Sequence, residues 1–197
     1  MAINLADISY RFVSPQEWPQ IKDRVMGIDF PFWQGTPLAG NEDDYAEMFT
    51  HPQSMTYVAE HNGRLIGFVN CVPAEAVAEW YLEDDGTTPS DYFEEIGGNS
   101  SYVHGVTVDA PYHRHGIGSE LLALAMKDSK LRGYDTLSGY YNHDTSKKLL
   151  DRTRPRISKP IPNFGDSGHT YEFGVTDLGK FQPKDVEPSK ALVPYKR

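Results

Sequence analysis

Between Tyr102 and Arg132 the sequence runs from a strand pattern through a glycine-containing turn, His113-Arg114-His115-Gly116-Ile117-Gly118, into a helix pattern. A turn of this kind exposes unpaired backbone N–H groups at the positive end of the helix dipole, where phosphate and pyrophosphate bind. Gly116 and Gly118 let an anion approach the backbone, and Arg114 adds charge. Spacing alone also fits an ordinary tight turn with glycines for steric reasons. The dinucleotide fingerprint needs a third Gly where this chain has Leu121, and no Gly-Lys-Ser/Thr ending marks a nucleotide P-loop. His113 and His115 have the spacing of a chelating pair but no carboxylate or Cys partner at ligand spacing, so the expectation is a turn and no metal. Gly165-Asp166-Ser167-Gly168 is similar to a protease nucleophile turn, yet the final Gly, the Cys framework and an all-β pattern are missing. It too reads as a turn.

The elements that position the turn follow from local punctuation. Tyr10–Val13 is a strand candidate. Ser14-Pro15-Gln16-Glu17 joins an N-cap, a Pro at the first helical position and a capping-box Glu, predicting a helix to about Met26. Residues 27–40 read as an aromatic-containing loop, and Asn41 with Glu42, Asp43 and Asp44 as the start of a short helix through Phe49. Met55–Glu60 and Leu65–Val69 flank Asn62-Gly63, the signature of a tight β-hairpin. Residues 74–99 form a long acidic connection, an insertion or lid, with helix candidates at Ala74–Tyr81 and Ser90–Ile96. Tyr102–Val108 is a strand, Ser119–Arg132 an amphipathic helix closed by Gly133, and Thr136–Tyr140 another strand. Thr145–Arg152 reads as a short helix, and Ile157–Pro162 and Tyr171–Val175 as final strands. The expected organisation is one α/β (α+β) domain over 1–178 and an extended tail over 179–197.

Composition restricts the classes. The 197 residues are 39% hydrophobic and 12% aromatic, which excludes a disordered chain. The net charge of −9 argues against a general binder of nucleic acid or anionic membrane. It is unevenly spread: residues 1–100 hold 4 Lys/Arg against 17 Asp/Glu, residues 101–197 hold 15 against 11. Cys71 is the one cysteine, so no intramolecular disulfide forms. No secretory pattern opens the chain and no apolar run approaches the roughly 18 residues of a membrane span, so a cytoplasmic protein is expected.

In this context the stretch Val106-Thr107-Val108-Asp109-Ala110-Pro111-Tyr112-His113-Arg114-His115-Gly116-Ile117-Gly118, followed by Leu121 and Leu122, resembles the GCN5-related N-acetyltransferase (GNAT) superfamily. That family's motif is a strand ending in Val, a turn, then Gln/Arg-x-x-Gly-x-Gly/Ala opening a helix. The order of elements over roughly 8–176 also matches. The resemblance implies a mixed, mostly antiparallel sheet that splays at the cofactor site and is flanked by helices. It implies acetyl-CoA, with pyrophosphate on the amides of Arg114, His115, Gly116, Ile117, Gly118 and Ser119. The pantetheine arm would pair with Val106, Thr107 and Val108, with Asn142, Ser146 and Lys147 as further contacts. His113 stands where the family has Gln or Arg, which predicts weaker or pH-dependent binding.

The implied reaction is direct attack of an amine on the acetyl group, polarised by a backbone N–H near Val106 or Val108. His104 is the candidate base, because an ordinary His pKa near 6.5 suits the task and alternation puts it on the face of Val106 and Val108. Its bland alternative is a half-buried, hydrogen-bonded strand histidine. Tyr102 shares that face and could orient a water. The family's usual helix Tyr is missing from Lys147-Lys148-Leu149-Leu150, so the acid falls to Tyr140, Tyr141, Ser146 or solvent. The basic stretch Lys147, Lys148, Arg152, Arg154, Arg156 and Lys159 could meet the CoA 3′-phosphate or simply face water. Phe30, Phe32, Trp33, Trp80, Tyr81 and Phe93 could wall an acceptor pocket. The acidic first half favours a cationic acceptor amine on a small molecule or protein. A homodimer is a possible assembly. The alternatives are a non-catalytic acyl-CoA-binding module and an acetyltransferase acting on a nucleic-acid-linked amine.

Overall fold

The computed structural model describes residues 5–33, 40–77, 99–142, 146–161 and 168–181. The expected helix at Ser90–Ile96, the second half of Ala74–Tyr81, the start of the Gly165–Gly168 turn, and the tail from residue 182 lie outside the described residues. So do Trp80, Tyr81 and Phe93.

Among the described residues, seven strands form one sheet in the order β1-β2-β3-β4-β5-β7-β6: β1 Ile8–Val13, β2 Met55–His61, β3 Arg64–Pro73, β4 Ser100–Val108, β5 Thr136–Asn142, β6 Ile157–Ile161 and β7 Tyr171–Asp177. Every neighbouring pair is antiparallel except β4 and β5. That parallel pair needs a crossover, supplied by the long helix between them. The β2–β3 hairpin closes at Asn62 (φ 54) and Gly63 (φ 73), a left-handed pair that suits the twist of adjoining strands.

Among the described residues the two faces are covered by the α-helices α1 Trp18–Trp33, α2 Glu42–Thr50, α3 Ile117–Leu131 and α4 Lys147–Thr153. Alternate strand residues feed two cores. Val58, Phe68, Val72, Tyr102, Phe173 and Val175 pack with α1 and α2. Tyr57, Val69, Cys71, Val103, Leu137 and Tyr141 pack with α3 and α4. The expected start signals hold. The Ser14 N–H and hydroxyl both donate to Glu17 at 2.9 Å, and Asn41 Oδ1 accepts from the amides of Asp43 and Asp44. No described helix is long and apolar enough to cross a membrane.

Three local expectations change. Residues 27–33 are not loop: α1 continues to Trp33 with Pro31 inside it. The missing amide of Pro31 costs one helical hydrogen bond. Burial of Ile28 and Asp29 and the stacking of Trp33 on Tyr171 at 6.0 Å hold the added turns in place. The α3 helix begins at Ile117 rather than Ser119, because Gly116 caps it with φ 83. Finally, β4 carries a bulge. Asn70 pairs with Gly105 and Cys71 with Val103, leaving His104 as the extra residue. Alternation therefore restarts after His104.

Candidate active site

The turn expected to hold phosphate is anchored from both sides. The Asp109 N–H donates to the Ile66 carbonyl at 2.7 Å. Its carboxylate takes ion pairs from Arg24 and, at 3.4 Å, from Arg64. Tyr112 shares a 2.9 Å hydrogen bond with His61 on the hairpin. Between these anchors and α3 the backbone is left-handed at Arg114 (φ 65) and again at Gly116. A non-glycine residue in that region costs roughly 1–2 kcal/mol. The amides of Ile117, Gly118 and Ser119 have no intrahelical acceptor, as in the first turn of any α-helix.

The glycines leave room in this cradle. A Cβ at Gly116 would meet open space, and one at Gly118 would lie 3.6 Å from Leu149 and Val108. An added side chain would thus occupy the cleft between α3 and the end of β4. The His113 ring donates from Nε2 to the Val108 carbonyl at 2.7 Å and lies beside Phe32, ring centroids 6.1 Å apart. It pins the turn to β4 and to the end of α1. Arg152 of α4 donates to the Ser119 hydroxyl. One member of the basic stretch is thereby placed beside the first turn of α3. Lys147 is not: it donates to Glu172 at 2.8 Å and to Asp151 at 3.2 Å, and its hydrogen bond to Glu172 is the main cause of its raised pKa. Ser146 Oγ donates to the Asn142 carbonyl at 3.1 Å, tying the residue before α4 to the end of β5.

The sheet opens beside the cradle. β4 and β5 pair only from Ser100–Thr136 to Val103–Gly139, and among the described residues the ladder ends there. Gly139 sits at the fork, where an added Cβ would lie 3.1 Å from that of Val103. Past it, residues 104–108 and 140–142 diverge, so Val106, Thr107 and Val108 present strand edge to the gap and lead directly into the cradle.

The candidate catalytic side chains divide between the two faces. Tyr102 and His104 lie on the α1/α2 face. Tyr102 meets Tyr140 edge to face at 6.4 Å, and His104 meets the rings of Tyr45 at 5.6 Å and Phe49 at 6.3 Å. The bulge corrects the expectation that His104 shares a face with Val106 and Val108, which pack toward α3. Burial pushes the His104 pKa down to about 4, with a small opposing effect of Asp44, and Nδ1 has no hydrogen-bond partner among the described residues. The ring is therefore neutral at neutral pH; it is a half-buried strand histidine that, among the described residues, lacks a hydrogen bond at Nδ1. Tyr141 is 3% exposed on the α3 side, and burial raises its pKa. It lies across the sheet from His104. Tyr140, the neighbouring alternative, lies on the Tyr102 face.

Sequence reading missed Asp29. It is 2% exposed at the end of α1, with Tyr45 Oη donating to Oδ2 at 2.5 Å and Thr107 Oγ1 donating to Oδ1. The Trp33 side chain supplies a third hydrogen bond. Burial raises the Asp29 pKa, and these three bonds oppose the rise. The helical stripe Trp18, Ile21, Val25, Ile28, continued to Phe32, was the available signal that α1 passes Gly27 and carries Asp29 inward.

A family model for the acetyltransferase (GNAT) family matches residues 22–150, more than half of the chain. The chain belongs to the GNAT family. Acetyl-CoA is the cofactor that membership implies, and the open cradle at Gly116 and Gly118 beside the forked strand edge fits it. No curated protein sequence matches the chain. Among solved structures, the polyamine N-acetyltransferase of Drosophila melanogaster is 16% identical with a TM-score of 0.68, covering 87% of this chain and 100% of that one. A mosquito arylalkylamine N-acetyltransferase-like protein is 18% identical with a TM-score of 0.65, covering 86% and 99%. Salmonella typhimurium yncA, solved with its cofactor acetyl-CoA, is 12% identical with a TM-score of 0.62, covering 94% and 99%. At these identities the likeness is one of fold.

Proposed function

We propose that this GNAT protein transfers the acetyl group of acetyl-CoA to a primary amine by direct attack. One observation carries the reading: the β4–β5 fork joins a helix N-terminal cradle on one side to a polar, aromatic face on the other. The amides of Ile117–Ser119, with Arg114 and Arg152, would hold the phosphates. The free edge of Val106–Val108 would align the thioester and offer an N–H to its carbonyl oxygen, stabilising the negative charge that develops there. The opposite face, with Tyr102, His104, Thr107 and Tyr140, would receive the amine. A cationic acceptor is supported by the acidic first half of the chain, and the polyamine N-acetyltransferase among the structural neighbours is a precedent for an amine acceptor.

The test is release of free thiol from acetyl-CoA across a panel of polyamines, arylalkylamines and N-terminal peptides. Turnover with at least one amine supports the reading. Thiol release with none, together with measurable CoA binding, supports a non-catalytic acyl-CoA module instead.

A further inference from the structure

Asp29 is an expensive residue to bury. Its carboxyl has left water, and among the described residues no Lys or Arg pairs with it. Donors from three elements converge on it instead: Trp33 of α1, Tyr45 of α2 and Thr107 of β4. A carboxyl held in this way beside a cleft is a functional candidate. The remaining charged or titratable groups nearby are Asp44, behind Tyr45 on α2, and His104 on β4, which burial keeps neutral. β3 contributes the apolar ring of Phe68. Among the described residues, the surroundings of Asp29 thus hold no cation at neutral pH.

Thr107 links this carboxyl to the gap. It lies past the fork on the α1/α2 face of β4, half-buried, with its hydroxyl hydrogen committed to Asp29. Two residues before it, Gly105 adds no bulk: a Cβ there would stand 3.9 Å from Asp29 Oδ2 and 3.3 Å from Phe68. Because the hydroxyl donates to Asp29, its oxygen is left to accept a hydrogen bond from a group in the gap.

We infer that Thr107 and Asp29 form a two-residue proton relay for the acceptor amine. The assignment rests on the amine acetylation proposed above. The substrate ammonium donates to Thr107 Oγ1 and supplies the positive charge that Asp29 lacks. Its N–H bond breaks, the proton passes to Oγ1, and the hydroxyl proton of Thr107 passes to Asp29 Oδ1. The nitrogen keeps the electron pair and forms a bond to the acetyl carbon. The C–S bond breaks with its pair on sulfur, and a second proton from nitrogen goes to that thiolate, giving free CoA. The proton held by Asp29 returns to solvent through Thr107 once product has left. Thr107 is the catalytic residue and Asp29 the proton-holding residue that acts through it.

The experiment uses the full chain with Thr107→Val, Thr107→Ser and Asp29→Asn, with agmatine and phenethylamine as probe amines. kcat/KM is measured from pH 6.5 to pH 10, and CoA affinity by calorimetry. Thr107→Val is expected to lose about 100-fold in kcat/KM at the acid end, the scale of one general base. The loss should shrink to below about 10-fold at the alkaline end, where free amine no longer needs the relay. CoA affinity should stay within about two-fold, and Thr107→Ser should recover most of the rate. A loss equal at every pH, or wild-type rates in Thr107→Val, overturns the relay. If Asp29→Asn fails to fold, the Thr107 pair decides alone. If wild-type protein acetylates neither probe nor any panel amine, the function reading fails rather than the relay.

Discussion

Gly116→Ala separates the fold's demand on the cradle from the ligand's demand. Gly116 has φ 83, and a Cβ there touches nothing. The substitution therefore costs only the left-handed conformation of a non-glycine residue, roughly 1–2 kcal/mol. In a domain of this size each 1 kcal/mol lowers Tm by about 2–4 °C. Gly133, which ends α3, offers a matched control: its φ is 90 and a Cβ there also meets open space. Gly133→Ala should lower Tm by a similar amount. The two should part company on acetyl-CoA. Alanine at 116 favours rotating the backbone out of the left-handed region, turning cradle amides away from the phosphates. Each hydrogen bond to a charged group is worth about 1.5–3 kcal/mol, so losing one weakens binding by about 10- to 100-fold. Calorimetric titration of both variants, with thermal melts alongside, checks this. Equal loss of affinity in the two variants, or none in Gly116→Ala, would refute the assignment of the cradle.

Other outcomes follow from single contacts. Arg152→Gln removes a cation from beside Ser119 and should weaken acetyl-CoA binding by about 3- to 10-fold, with a shallower salt dependence and unchanged kcat. Leu150→Ala empties a side chain that is 1% exposed and nearly touches Gly174, which predicts a loss of about 2–5 kcal/mol in denaturant unfolding. The depressed pKa of His104 means that the unfolded chain binds its proton more readily than the folded one. Its contribution is therefore fully present above about pH 6.5 and is lost as pH falls toward 4, by up to about 3 kcal/mol. Unfolding free energies of His104→Phe should fall less steeply than wild type across that window, and parallel slopes would contradict the half-buried, neutral ring.

Legibility in the sequence tracked how local each cause was. The Asn62-Gly63 turn, the Ser14/Glu17 and Asn41 caps and the glycine turn that opens α3 were readable because each is decided within a few residues. The bulge was not. Only the pairing of β3 with β4 leaves His104 unmatched, and no residue type there announces it. That one extra residue moved His104 off the face of Val106 and Val108. The end of α1 was misread because Gly27 and Pro31 are local breakers, while the contacts of Asp29 and Trp33 that keep the helix going come from β4, α2 and β7. Asp29 was lost with it. Tyr140 and Tyr141 are adjacent aromatics of equal apolarity, so only the sheet says which faces α1 and α2. Within the basic stretch, Arg152 and Lys147 differ by tertiary partners alone, since Glu172 claims the lysine.

The central claim is acetyl transfer from acetyl-CoA to an amine at the β4–β5 fork, and mass spectrometry of a single reaction tests it most directly. The full chain is incubated with acetyl-CoA and an equimolar mixture of agmatine, spermidine, phenethylamine and a short peptide. One or more amines should gain a single acetyl group, matched mole for mole by free CoA. If every amine is recovered unmodified while CoA is shown to bind, the account of this site is wrong.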